Sequence, residues 1–166
     1  MSRCVFTAES EADTERLGLA LAGLLPDGTT VALIGSLGSG KTRLVQAIAA
    51  GFGIDRRDVV SPTFVLVQHY HGRRSLYHFD VYRLRDEAEF LDLGPEEYFE
   101  SSGITLVEWA DRVNDCLPPE RVEIRIEPTG PTARRFELLG VGHRHERMIS
   151  HDLPAALADR ATRQKP

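Results

Sequence analysis

Residues Gly35, Ser36, Leu37, Gly38, Ser39, Gly40, Lys41 and Thr42 spell G-x-x-x-x-G-K-[ST], and the chemistry of that stretch is phosphate binding. Its three glycines let the main chain curl so that successive N–H groups surround an anion, while a helix starting near Gly40 aims its positive dipole end at the same point. Lys41 is spaced to reach the β- and γ-phosphates of a nucleotide, and the Thr42 hydroxyl to meet Mg²⁺.

A hydroxyl alone does not hold Mg²⁺, so a carboxylate is expected at the end of a neighbouring apolar strand. Two residues qualify: Asp80, after Leu76, Tyr77, His78 and Phe79, and Glu108, after Ile104, Thr105, Leu106 and Val107. The second run is the more uniformly apolar, as a central parallel strand is. That favours Glu108 near the metal and Asp80 as a second carboxylate orienting water or a metal-bound ligand, with the order of the two roles left open. Ser61, Pro62 and Thr63 form either a nucleotide-sensing loop with a hydroxyl for the γ-phosphate and Mg²⁺, or a plain turn before a strand. His78, a lone strand histidine, is expected to be structural.

The elements around these residues follow from periodicity. The apolar run Val31, Ala32, Leu33 and Ile34 leads into the glycine loop; Leu44, Val45, Ile48, Ala49 and Phe52 then mark one buried helical face, stopped by Gly51 and Gly53. An earlier helix starts after Ser10, with Asp13 completing an imperfect capping box, buries Leu17, Leu21, Leu24 and Leu25, and ends at Pro26-Asp27-Gly28. Residues 64–70 and 75–81 read as a hairpin, residues 86–100 as two short helices broken at Gly94-Pro95, residues 104–107 as a buried strand, and residues 122–127 with 135–139 as another hairpin. The expected fold is α/β, a three-layer P-loop arrangement with a mixed parallel and antiparallel sheet and flanking helices. Residues 1–142 would form one domain and residues 143–166 a loosely ordered tail.

Composition narrows the partners. A net charge of −5 argues against independent nucleic-acid binding. The arginine pairs 56–57, 73–74 and 134–135 read as solvated surface. Cys4 and Cys116 lack metal-ligand spacing, and no apolar stretch reaches the ~20 residues a membrane helix needs. With no signal-peptide core at the N-terminus, a cytoplasmic location is expected.

The segments Gly-Ser-Leu-Gly-Ser-Gly-Lys-Thr, Ser-Pro-Thr-Phe, Tyr-His-Phe-Asp-Val-Tyr-Arg-Leu and Leu-Val-Glu-Trp-Ala occur in the order and approximate spacing of one family. Over roughly residues 5–140 the chain resembles TsaE, the small bacterial ATPase of tRNA threonylcarbamoyladenosine synthesis. The resemblance implies a Mg²⁺-dependent ATPase, with ATP and ADP as its ligands. It would work with TsaD and TsaB, which transfer the threonylcarbamoyl group to the adenosine beside the anticodon, and would meet tRNA only through that complex. By the same resemblance Lys41 and Thr42 serve phosphate and Mg²⁺, Glu108 the metal, Thr63 and Asp80 switching and catalytic support; Trp109 neighbours the nucleotide and Thr14 the base. Ser36 and Arg43 depart from the family pattern, which has Asp and Thr there, and no family signal follows about residue 142. Two other readings share the P-loop: a small-metabolite kinase, which would want an Arg-bearing lid, and a nucleotide-gated binding module with little turnover.

Overall fold

The computed structural model describes residues 1–62 and 64–163, with side chains through Asp159. Seven strands, β1 (Ser2–Ala8), β2 (Thr30–Ile34), β3 (Val67–His71), β4 (Ser75–Asp80), β5 (Ile104–Glu108), β6 (Arg121–Pro128) and β7 (Arg134–Val141), form one sheet in the order β1-β7-β6-β2-β5-β4-β3. The central neighbours β6, β2, β5 and β4 run parallel, while β7 and β1 on one side and β3 on the other add antiparallel edges. This is the expected mixed α/β sheet. Strands β2 and β5 are buried on both faces: Val31 and Leu33 of β2 join one apolar cluster and Ala32 the other, and Leu106 and Val107 of β5 divide in the same way, because successive side chains point to opposite faces.

The first layer of helices comprises α1 (Glu11–Leu24) and α2 (Lys41–Gly51). Ser10 caps α1 by accepting the Asp13 N–H; the return bond from Asp13 reaches the Glu9 N–H, one residue earlier than a standard capping box. The two helices cross so closely that a Cβ on Gly18 would lie 2.3 Å from the Ala47 Cβ, which fixes how α2 lies on the sheet. The opposite face carries α3 (Glu87–Leu91), α4 (Pro95–Phe99) and a 3-10 turn at Ala110–Cys116, packed through Phe79, Phe90, Val107 and Val113. Pro95 opens α4 at a position where its missing N–H costs nothing.

Three expectations change. Strand β1, at the very N-terminus, has no counterpart in the sequence reading; its alternating exposure is that of an edge strand held by β7. Residues 64–66 are not strand: Leu66 has φ 68°, Phe64 and Val65 point to solvent, and pairing begins at Val67. The segment after residue 142 is not a loose tail. It forms α5 (His143–Arg147), a π-helical turn at Met148–Asp152 and α6 (Leu153–Arg163), and Met148, Ile149, Leu153 and Leu157 enter the first core cluster. Four apolar residues among many charged ones are enough to dock a helix when they share one face, so the domain runs past residue 142.

Candidate functional site

Strand β2 ends at Ile34 and the chain turns through Gly35–Gly40 into α2, whose first residues are Lys41 and Thr42. The turn needs its glycines. Gly38 and Gly40 have φ 74° and 108°, and a Cβ on Gly35 would meet the Ser39 Oγ at 2.5 Å and the Ile126 carbonyl at 2.8 Å. Among the described residues, no side chain caps α2 at Gly40. The loop is held from outside by Arg134, whose Nε donates to the Ser39 carbonyl at 2.6 Å and whose Nη1 donates to the Gly130 and Ala133 carbonyls.

The parallel register brings the two candidate carboxylates together. Leu33 pairs with Glu108 and Glu108 with Asp80, so the acids stand at the carboxyl ends of β5, beside β2, and of β4, the next strand along, the place where open α/β sheets hold ligands. Both are buried, at 3% and 6% exposure. Thr42 Oγ1 donates to Glu108 Oε1 at 2.8 Å, and His78 Nε2 lies 2.7 Å from the same oxygen. Asp80 accepts the Ser61 hydroxyl at Oδ2 and the Tyr82 N–H at Oδ1, the latter at 3.0 Å.

Lys41 is almost wholly buried, with Nζ donating to the Gly35 and Ser36 carbonyls at 2.7 and 2.9 Å and standing 3.8 Å from the centroid of the Trp109 ring. Burial pushes its ammonium below the usual lysine range, and the carboxylates of Glu108, Asp80 and Asp111 oppose that shift. Trp109 follows Glu108 in the left-handed region at φ 61° and stacks on Tyr82 with ring centroids 4.7 Å apart. Lys41, Thr42, Asp80, Tyr82, Glu108 and Trp109 line a cavity of about 450 Å³ together with Leu37, Arg43, Ser61 and Arg83.

Thr14 is elsewhere. It is buried at the wall of a smaller hollow of about 120 Å³, with Glu11, Thr132, Arg134 and Phe136, which shares Gly40 and Arg43 with the main cavity. Thr63 lies outside the described residues. Ser36 contributes its carbonyl to Lys41, and Arg43 pairs with Glu11 at 2.9 Å across α1 and α2.

Sequence reasoning missed Arg134 and undervalued His78. Arg134 looked like half of a solvated pair, and its grip on the P-loop depends on a contact across 95 residues. The pairs at 73–74 differ likewise: Arg73 donates to the Gly51 carbonyl and Arg74 to that of Leu25. His78 could have been found from strand periodicity, since residues two apart share a face and His78 precedes Asp80 by two. Among the described residues, no group of three or more His, Cys, Asp or Glu side chains could hold a metal ion. One hydroxyl and two carboxylates instead suit a hard cation that takes its other ligands from phosphate and water.

The family profile described as "Threonylcarbamoyl adenosine biosynthesis protein TsaE" matches residues 8–136. The chain belongs to the TsaE family. The TsaE of Treponema pallidum is 43% identical over 124 residues, covering 75% of this chain and 90% of that protein; the TsaE of Bacillus subtilis is 41% identical over 142 residues, covering 85% and 87%. Both carry the description "tRNA threonylcarbamoyladenosine biosynthesis protein TsaE". The crystal structure of Bacillus subtilis YdiB superposes with a TM-score of 0.78 at 32% identity, over 96% of this chain and 97% of that one, so the likeness to YdiB extends well beyond the residues of the family match.

Proposed function

We propose that this TsaE-family chain binds and hydrolyses ATP in tRNA threonylcarbamoyladenosine biosynthesis, supporting turnover by TsaD and TsaB in the cytoplasm rather than transferring the threonylcarbamoyl group itself. The observation that carries the reading is the hydrogen bond from the P-loop hydroxyl of Thr42 to Glu108, with Asp80 as its neighbour in register. The phosphates of ATP would lie along Gly35–Thr42, with the base toward the Thr14 hollow and Trp109 beside the nucleotide. Thr42 and Glu108 would hold the nucleotide's Mg²⁺, which supplies charge neutralisation at the β- and γ-oxygens. Lys41 sets a buried positive charge against the same oxygens. Asp80, clamped by Ser61 and the Tyr82 N–H, is a preoriented acceptor for the attacking water. Thr63 is assigned the γ-phosphate-sensing role that the family resemblance implies.

Leu37, Val60, Phe64 and Val65 are exposed, and Arg83, which lines the cavity, lies over the Phe64 ring at 4.6 Å. Exposed apolar side chains such as Leu37 on the cavity wall and Phe64 against Arg83 offer a surface to protein partners, and an acidic chain leaves tRNA contact to them. The test is reconstitution with the cognate TsaD and TsaB and tRNA. Adding this chain should raise both phosphate release and the number of modified tRNAs per complex, and Thr63→Ala should blunt that rise more than it weakens ATP binding. Equal ATP turnover with and without the pair, and full tRNA modification in the absence of this chain, would remove the proposal.

A further inference from the structure

His78 is fully buried on β4, in register with Gln68 of β3 on one side and Leu106 of β5 on the other. Its Nε2 lies 2.7 Å from Glu108 Oε1, and Nδ1 has no partner among the described residues, so the ring's one protein hydrogen bond is to that carboxylate. A carboxylate only accepts, which places the hydrogen on Nε2. Thr42 donates to the same oxygen at 2.8 Å. Among the described residues, the hydrogen bonds to the Glu108 carboxylate therefore both fall on Oε1, and Glu108 is part of the cavity wall.

We propose that His78 is a positioning residue: its Nε2–H pins Glu108 Oε1 so that the carboxylate stays aligned with the Thr42 hydroxyl and keeps Oε2 for the cation of the bound nucleotide. This rests on the nucleotide reading above. A carboxylate held by Thr42 alone can rotate about its terminal torsion, which is broad and lacks sharp staggered wells. A second donor from a ring locked between two neighbouring strands removes that freedom. Outer donors of this kind orient ligands to metals, and their loss costs roughly tenfold to a hundredfold in metal affinity.

The experiment is calorimetric binding of ADP with and without Mg²⁺ to the full chain and to His78→Leu, His78→Gln and Glu108→Gln, singly and with the histidine changes placed on Glu108→Gln. In the wild type Mg²⁺ should strengthen ADP binding. His78→Leu should keep Mg²⁺-free affinity within about twofold and lose roughly tenfold of the Mg²⁺ gain. His78→Gln, whose amide can stand where Nε2 stood, should recover most of it, and neither change should matter further on Glu108→Gln, because residues acting through one another are not additive. If the leucine variant does not fold, His78→Asn, too short to bring an amide to the Nε2 position, takes its place against His78→Gln. A Mg²⁺ gain that survives loss of the donor, equal losses in the Gln and donor-free variants, or an undiminished loss on Glu108→Gln would overturn the role of His78 alone. No Mg²⁺ gain in the wild type would overturn the nucleotide reading and this inference with it.

Discussion

Asp80 and Glu108 are register partners at the carboxyl ends of adjacent parallel strands, so two buried carboxylates stand side by side next to a buried lysine. They are held differently: Glu108 by the P-loop threonine and His78, Asp80 by Ser61 and a backbone N–H. That difference separates a group tied to the phosphate loop from one tied to the loop before β3.

Glu108→Gln should therefore raise the Mg²⁺ concentration for half-maximal ATP turnover by about tenfold or more while leaving Mg²⁺-free nucleotide binding nearly intact. Asp80→Asn should lower the maximal rate with a smaller change in Mg²⁺ requirement. Steady-state turnover across a Mg²⁺ titration reads both, and the opposite pattern would exchange the two roles.

Trp109 is the chain's one tryptophan, and its ring meets both Lys41 Nζ and Tyr82. When phosphate draws Lys41 to itself, the cation leaves the ring and the emission of Trp109 should shift or change in intensity. Lys41→Ala should fold normally, abolish the response to ATP and cut turnover by about a hundredfold or more. Nucleotide binding that saturates by calorimetry with unaltered emission would separate Trp109 from the site.

The C-terminal helices are part of the core through Leu153 and Leu157. Leu153→Ala should destabilise the fold by roughly 2–5 kcal/mol, the usual range for a fully buried leucine, measured by urea unfolding at unchanged m-value. Stability within about 0.5 kcal/mol of wild type, the range of ordinary surface changes, would mean the segment does not hold the domain together.

His145 anchors that segment to the strand region, with Nδ1 2.9 Å from the Val141 carbonyl and Nε2 3.2 Å from the Thr29 hydroxyl. Burial depresses its imidazole below the usual value of about 6.5, with Arg144 adding to the shift and the Val141 bond and Glu120 opposing it. The unfolded chain then takes up the proton at a higher pH than the folded one. The stability this group contributes is complete above about pH 6.5 and is lost as pH falls toward the folded value. Thermal melts between pH 8 and 5 should show a steeper acid-side loss for the wild type than for His145→Gln, and parallel curves would contradict it.

Local order alone determined much of this protein. The P-loop sequence dictates a glycine turn between a strand and a helix, because glycine takes φ 74° and 108° at Gly38 and Gly40 without the steric cost a Cβ brings. Runs of apolar residues ending in acid place Asp80 and Glu108 at strand termini wherever those strands lie in the sheet. What the chain order does not contain is which strands become neighbours. The pairing of β4, β5 and β2 decided that the two acids stand side by side and that Glu108 meets Thr42. The return of β7 brought Arg134 onto a loop almost a hundred residues earlier. The C-terminal segment looked like a polar tail because its few apolar residues gain stability only against a surface that α1 and the sheet together create. Those contacts are long-range, and their energy comes from burial that exists only once the sheet has assembled.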